Sequence, residues 1–416
     1  MNGPARSALD RLVPQGREVF AERVWGCSAL YIPVEERDAD TFADLFGLAA
    51  VDELLTHRGL RTPFLRMAKQ GRTLPDGAVT SPGGVGAGIA DQVDPDKVRR
   101  LYAEGTSVVL QALHRTWPPV EEFAQQLAAD LGHPVQVNSY LTPPDNQGFD
   151  AHYDVHDVFV LQVHGTKHWQ VHPPVQDRPH RDEPWNDRSQ QVRAAAQASP
   201  LLEVELRPGD VLYLPRGFLH SARACGVASL HLTVGIHAWT GRHVADAVLA
   251  AADEAVRDDP RIRAALALGI DLADPGVVRP VLVDVCEALL QAIGDLGPAD
   301  LVRALDERAT SAQRAAPLPP LAQLAAADTL GPNSRVRLRR HLRLRTSTED
   351  GQVVARSRTG TVRLDPAEAA LLARLADPAC TPDRPTTIAD LGPELADNPL
   401  PAVAALARAG LVEVVP

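Results

Sequence analysis

The sequence predicts an α+β chain with a small antiparallel β-barrel or β-sandwich at its centre. Between Val135 and about Trp239, apolar and polar residues alternate with period two in short runs that Gly and Pro separate. After Val244 the apolar residues recur at helical spacing instead. A chain of 416 residues is long enough for two or three domains. The strand-rich part should therefore be one domain, followed by a helical one.

Six runs in the central part have the length and alternation of strands, and many short strands in sequence are typical of a barrel or sandwich. The predicted strands are 135–141, 155–163, 167–171, 202–206, 211–214 and 229–236. An amphipathic helix is predicted just before them, at 120–131. Further helices are predicted at 244–256, 277–293, 299–308 and 318–327, with wide Ala- and Leu-rich faces.

These patterns divide the chain into four segments. Residues 1–95 mix helical and extended stretches, and residues 96–240 hold the barrel. Residues 241–332 form the helical block. Residues 333–416 begin with an arginine-rich strand at 335–345 and end with two helices (366–375, 401–409) and a strand (411–415). Small helices that lead into a strand resemble a winged-helix module.

Composition excludes several classes of protein. With 45% hydrophobic and 23% charged residues, the chain is typical of globular proteins. It contains no run of 18 apolar residues, and its start lacks the apolar core of a signal peptide, so we expect a cytoplasmic protein without a membrane span. The four cysteines are far apart, which argues against zinc ribbons and disulfide scaffolds. A net charge of −11 argues against non-specific coating of nucleic acid.

The residues with the clearest chemistry are two histidines and an aspartate. His152 and Asp154 are two positions apart, so on a strand both side chains point to the same face. His220 follows an apolar strand and a Pro-Arg-Gly bend, and can supply a third ligand. Two imidazoles and one carboxylate form a facial triad that leaves coordination positions open, as non-heme Fe(II) oxygenases require. The alternative is that both histidines are hydrogen-bonded core residues.

A lysine follows at the position where an iron oxygenase would need a cation. Only three of the 42 basic residues are lysines, and Lys167 opens the second strand of a hairpin that comes directly after the triad motif. Its ammonium can pair with the distal carboxylate of 2-oxoglutarate, unless it is a solvated hairpin residue. Asn138 and Tyr140 share one strand face and can complete that pocket. Ser229, His231 and Thr233 line the polar face of another strand and are expected to surround the site.

These residues lie within a longer motif. The run A-H-Y-D-V-H-D-V-F-V-L-Q-V-H-G-T-K-H-W-Q-V-H, with N-S-Y-L-T-P-P upstream, closely resembles the JmjC-type cupin hydroxylases of the ribosomal oxygenase family. The resemblance is strongest from about 60 to 240 and includes F-L-R-M-A-K-Q-G-R-T-L-P in the first segment. It implies a double-stranded β-helix (cupin or jelly-roll) core, a helical dimerisation block at 241–332 and a C-terminal winged helix.

By position, the resemblance implies that His152, Asp154 and His220 hold Fe(II) and that Lys167 binds 2-oxoglutarate, with O₂ as the second co-substrate. It implies β-hydroxylation of an Arg or His side chain in a protein, most often a ribosomal protein. Many relatives read H-Y-D-D where this chain has Val155, and the segment 177–200 is long and polar. Both departures affect the expected substrate more than the expected metal site.

Other functions stay open at this point. The substrate can instead be a ribosomally made peptide natural product, or, with less support, an N-methyl-lysine. A different class is a non-catalytic cupin scaffold, against which the complete triad argues. We expect a homodimer through the apolar helices. The six arginines between Arg335 and Arg345 are expected to form a basic strand edge, so direct nucleic-acid binding is not expected.

Overall fold

The computed structural model describes residues 7–38, 40–69, 71–86, 88–377, 385–391 and 398–415. The chain divides into two compact units, residues 1–238 and 239–416. None of the helices among the described residues combines the length and apolar character that crossing a membrane requires. The finer division into four segments stays a prediction.

The first unit is built on two antiparallel sheets. In spatial order, the strands of the eight-stranded sheet are Leu30–Ile32, Val211–Leu214, Asp157–His164, Ser229–Ile236, Val135–Thr142, Ser107–Leu110, Leu65–Lys69 and Arg72–Thr73. The three-stranded sheet has the order Leu202–Leu206, Lys167–His172 and Leu219–Ala224. A separate short pair joins Thr80–Ser81 to Gln92–Val93.

Alternation along the strands explains how the large sheet is buried on both faces. In Asp157–His164, Val158 and Val160 pack with residues of the small sheet such as Trp169. Phe159 and Leu161 point the other way and join the larger core, which includes the N-terminal helices. A strand covered on both faces reads as an almost continuous apolar run, which is why D-V-F-V-L-Q-V-H is so apolar. The space between the two sheets is where the site lies.

Helices cover the outer face of the large sheet. The longest, Pro118–Leu131, begins with proline in its first turn and ends at Gly132 in the left-handed conformation. Its apolar side is buried with the sheet residues Val135 and Val137. The other helices of this unit are Ala8–Leu12, Arg17–Arg23, Leu48–His57, Pro95–Ala103 and Ser189–Ala195, and the 3-10 turns are Val34–Arg37, Asp76–Ala78, Leu113–Arg115 and Trp185–Arg188.

The predicted strands agree with the observed ones to within two residues, but the sheet contains more than the sequence indicated. The bend that carries His220 continues into the strand Leu219–Ala224, which was not predicted. The N-terminal segment contributes Leu30–Ile32 and Leu65–Lys69 to the main sheet. These strands, distant in sequence from the barrel motif, pair with Val211–Leu214 and Ser107–Leu110.

The second unit is helical first and mixed afterwards. Its helices are Gly241–Ala255, Pro260–Arg263, Pro275–Asp295, Pro298–Ser311, Pro320–Asp328, Pro366–Ala376 and Leu400–Arg408, with a 3-10 turn at Ala389–Leu391. Several of these helices begin with a proline that follows an aspartate cap; Asp274 and Asp365 are two such caps. One three-stranded sheet joins Thr386–Thr387, Arg335–Leu338 and Val412–Val415, and another joins Arg345–Glu349, Gln352–Ser357 and Gly360–Leu364.

The sequence predicted one strand over 335–345, but the observed strand ends at Leu338, and Arg345 begins another strand, Arg345–Glu349, in a different sheet. Positive φ angles at His341 and Arg343 end the extended conformation between them. Several of its guanidinium groups have partners within the unit: Arg337 pairs with Glu413 at 2.7 Å and Arg343 pairs with Asp306 at 2.9 Å. These contacts give much of the basic run an intramolecular role.

Candidate active site

Two chain segments bring the three candidate ligands together. His152 and His220 form an isolated antiparallel bridge, in which each backbone N–H donates to the other residue's carbonyl oxygen, at 3.2 and 2.8 Å. Asp154 is tied to the second segment, because the N–H of Gly217 donates to its carbonyl oxygen at 3.0 Å. The backbone therefore fixes the distance between the H-x-D motif and the distal histidine.

The side chains of His152, Asp154 and His220 converge on one point. One ligand atom from each residue lies within 4.8 Å of the others, and this is the one such His, Cys, Asp or Glu group found in the described ranges. The Nδ1 atom of His152 lies 2.8 Å from the carbonyl oxygen of Asp150, and that of His220 lies 3.1 Å from the carbonyl oxygen of Phe218. These carbonyls fix Nδ1 as the protonated nitrogen, which leaves the Nε2 lone pairs for a metal.

The charge states suit a divalent cation. Burial lowers the pKa of His220 to about 4, so the ring is neutral at physiological pH. Burial alone would raise the pKa of Asp154, but the neighbouring His156 and His220 outweigh it and the pKa is lowered. Two imidazoles and one carboxylate with open positions are the donor set that non-heme Fe(II) prefers. The three residues therefore fit such a metal.

One cavity is lined both by the three residues of the triad and by Lys167. The Lys167 side chain is buried, and its ammonium donates to the Thr142 hydroxyl at 3.0 Å. Within the part of the chain that the structure describes, no carboxylate pairs with it. Burial lowers the pKa of Lys167 to about 7. A buried cation without a counter-ion fits an anionic ligand in the cavity.

Aromatic rings form walls of the same cavity. Tyr140 and His231 stack in parallel, with centroids 5.1 Å apart, and Trp169 meets His231 edge-on at 5.5 Å. Phe149 lies 5.9 Å from the ring of His152. The cavity is lined by Ser107, Tyr140, Thr142, Gly148, Phe149, His152, Asp154, Val158, Val160, Lys167, Trp169, His220, Ser221, Ala222, His231 and Thr233.

The structure brings together seven of the nine predicted site residues. Asn138 and Ser229 do not line the cavity. The side-chain oxygen of Asn138 accepts the backbone N–H of Ala112 at 3.0 Å, and the Ser229 hydroxyl accepts from the amide of Gln162 at 2.9 Å. Both point to the expected sheet face but support neighbouring chain segments instead.

Sequence reasoning missed Thr142, which holds the lysine, and Trp169, which forms a wall. Thr142 continues the alternation of Asn138 and Tyr140 by one more step, so the period-two pattern could have identified it. Trp169 follows Lys167 on the same face of its strand. The segment 177–200 also matters here, because Trp185 lies 6.2 Å from the ring of His152.

Comparison with known proteins agrees with this geometry. Residues 114–244, which include all three candidate ligands and Lys167, match the family model of the JmjC domain. This region is thus similar to the JmjC domain, and the chain is similar in sequence to the ribosomal oxygenases. It is 31% identical over 315 residues to ribosomal oxygenase 1 of Gallus gallus, which covers 72% of this chain and 49% of the relative.

A second relative is the bifunctional lysine-specific demethylase and histidyl-hydroxylase NO66 of Aedes aegypti, 29% identical over 57% of this chain and 37% of that protein. The chain thus spans about half the length, or less, of these curated relatives. Among solved structures, the Escherichia coli ribosomal oxygenase YcfD has a TM-score of 0.53 at 19% identity and covers 96% of this chain and 98% of its own. Another structure of YcfD contains cobalt and 2-oxoglutarate, with a TM-score of 0.52 at 18% identity over 95% of this chain and 97% of its own.

Proposed function

We propose that this chain is an Fe(II)- and 2-oxoglutarate-dependent oxygenase that hydroxylates a side chain of a protein, with a ribosomal protein as the favoured substrate. One observation carries the proposal: three convergent candidate metal ligands share a cavity with a buried lysine that pairs with no carboxylate of the described residues. A metal site alone would suit many functions. A cavity that has metal ligands and also a buried cation fits an anionic co-substrate that contacts the metal and the cation at the same time.

The residues of this chain have distinct tasks in that reaction. Bound iron would supply the activation of dioxygen, coupled to the oxidative decarboxylation of 2-oxoglutarate. Lys167 and the Thr142 hydroxyl bind the distal carboxylate and set the direction in which the co-substrate lies. Val158, Val160 and Trp169 keep this end of the cavity free of bulk water.

Two observations support a protein substrate. Two relatives are named as a ribosomal oxygenase and as a bifunctional lysine-specific demethylase and histidyl-hydroxylase, and both names imply a protein substrate. In addition, the segment that follows the small sheet's central strand reaches the metal ligands: Trp185 lies beside His152, and the Tyr153 hydroxyl donates to the carbonyl oxygen of Glu183 at 3.0 Å. We therefore assign this segment to the substrate groove.

The first experiment measures turnover without a known substrate. The purified chain, given Fe(II), 2-oxoglutarate and oxygen, should form succinate slowly, and Asp154→Ala and His220→Ala should not. Folding of each variant is checked by circular dichroism. A folded variant that still forms succinate would refute the metal assignment.

The second experiment identifies the substrate. Ribosomal proteins incubated with the active chain are analysed by intact mass and peptide sequencing. An increase by the mass of one oxygen atom on an Arg or His supports the proposal. The same increase on a ribosomally made peptide, or the loss of a methyl group from a lysine, would replace it. No turnover with any of these and no succinate would favour a scaffold.

We also propose that the helical block mediates a homodimer. Several large apolar side chains of its helices are exposed in the single chain, including Leu249 at 61%, Leu290 at 68% and Val302 at 61%. Exposed apolar residues on neighbouring helices are typical of protein interfaces. Light scattering of the purified chain tests this, and a monomer at all concentrations would contradict it.

A further inference from the structure

A buried ion pair lies next to the metal ligands without supplying a ligand itself. Asp157 begins the strand that follows the H-x-D motif, and its side chain is 1% exposed. One carboxylate oxygen, Oδ1, accepts the backbone N–H of Arg216 at 2.8 Å. The Arg216 guanidinium lies 3.6 Å from the same oxygen. The pair therefore connects the segment that bears Asp154 to the turn that precedes His220.

The turn is held on its other side as well. Gly217 has a φ of +91°, and a Cβ atom at this position would overlap the backbone carbonyl of Gln176. Its N–H donates to the carbonyl oxygen of Asp154. The turn 215–218 is thus confined between the chain at Gln176 and the carboxylate of Asp157. A shift of this turn would move His220 relative to Asp154, because both contacts lie within four residues of a ligand.

Stability alone does not explain such a pair. Burial raises the pKa of Asp157, so its charged form is disfavoured by the surroundings. Buried ion pairs are often no more stabilising than apolar residues of the same size. Ligands on separate segments, by contrast, must be held to within about 0.5 Å for a metal site to work. The contacts of Asp157 are of the kind that would hold two ligand-bearing segments at a fixed distance.

We propose that Asp157 and Arg216 are positioning residues, which set the separation between Asp154 and His220 and so the affinity and geometry of the metal site. This inference rests on the proposed metal site, but it concerns residues that touch neither the metal nor the co-substrate. The carboxylate of Asp157 acts on the site indirectly, because it holds the backbone of the turn that precedes His220. Such contacts typically change metal affinity by about 10- to 100-fold when removed.

The test is a titration of the metal-free chain with Co(II), followed by its visible spectrum and without any turnover. Asp157→Ala and Arg216→Gln should each weaken Co(II) binding by about 10- to 100-fold and alter the spectrum. Asp157→Asn keeps an oxygen that can accept the N–H of Arg216, so it should weaken binding less than alanine does. Arg337→Gln is the control, since its side chain is 17% exposed, about as much as that of Arg216, and its ion pair with Glu413 lies far away in sequence, in the second unit.

Thermal unfolding of the metal-free variants separates positioning from folding. If Asp157→Ala and Arg216→Gln unfold near the wild-type temperature and bind Co(II) with wild-type affinity and spectrum, the inference is overturned. If Asp157→Ala does not fold, Arg216→Gln decides, because the Arg216 side chain is 16% exposed and can be shortened without opening a closed cavity. If the wild type itself does not bind Co(II), the proposed function fails and the inference fails with it.

Discussion

Replacement of Lys167 by methionine should have opposite effects on co-substrate binding and on the stability of the free protein. The ammonium is buried and has no carboxylate partner among the residues that the structure describes, and burial lowers its pKa from 10.5 to about 7. That shift corresponds to roughly 5 kcal/mol of unfavourable burial of the charged form. Methionine has a similar length and no charge. The free Lys167→Met protein should therefore be as stable as the wild type or more stable at pH 7.

Co-substrate binding should be lost in the same variant. Removal of one partner of a buried, hydrogen-bonded charge pair typically costs about 2–5 kcal/mol, which is roughly 30-fold to several-thousand-fold in Kd. Calorimetry with 2-oxoglutarate and Mn(II), without oxygen, measures this change directly. Lys97→Met is a matched control, because the Lys97 ammonium donates to the carbonyl oxygens of Gly77 and Thr80, away from the cavity. Its Kd for 2-oxoglutarate should equal that of the wild type.

The same ammonium predicts a pH dependence. Below about pH 7 Lys167 is already protonated in the free protein, so binding of the carboxylate requires no proton. Above that pH the protein must take up a proton on binding, so affinity should fall by up to tenfold per pH unit. A Kd that stays constant from pH 7 to 9, or a folded Lys167→Met variant with wild-type affinity, would refute the assigned role of Lys167.

Three further substitutions test other parts of the structure. Gly165→Ala should lower the free energy of unfolding in urea by several kcal/mol, because φ is +61° and the new Cβ would overlap the Ala228 carbonyl. Gly226→Ala, where φ is +66° but the space is open, should lower it by only about 1–2 kcal/mol. Equal losses in the two variants would contradict this reasoning. Trp185→Ala should raise KM for the protein substrate while the Kd for 2-oxoglutarate stays unchanged; a change in Kd alone would place Trp185 in the co-substrate pocket. Leu290→Asp should convert the proposed dimer to a monomer in light scattering, and an unchanged dimer would place the interface elsewhere.

The local parts of the fold could be predicted from the sequence, because they depend on neighbours along the chain. Strand periodicity gave bounds that agree with the structure to within two residues for Leu202–Leu206, Val211–Leu214 and Ser229–Ile236. The helix predicted at 366–375 agrees with the observed helix Pro366–Ala376, because proline is well suited to the first turn of a helix. Residues two apart on a strand share a face, so His152 and Asp154 could be paired without any knowledge of the sheet.

Contacts between distant segments could not be predicted in this way. Alternation placed Asn138 on the correct face of its strand. It could not predict that the Asn138 side chain accepts a hydrogen bond from the backbone of Ala112. The strand that carries His220 is short and contains polar residues, so only its pairing with the central strand of the small sheet reveals it. The pair of Asp157 and Arg216 joins residues 59 positions apart, and no local pattern links them.

By itself, the sequence determined the chemistry of this protein: which residue types are present, at which spacing, and with which face in common. His152, Asp154 and His220 could be selected because two imidazoles and a carboxylate suit a metal, and Lys167 because a rare lysine near them suits an anionic co-substrate. Only the tertiary structure decided which of the other residues surround them. Sheet pairing and loop contacts depend on chain closure over long separations, and these bring Thr142 to the lysine and take Asn138 and Ser229 away from the cavity.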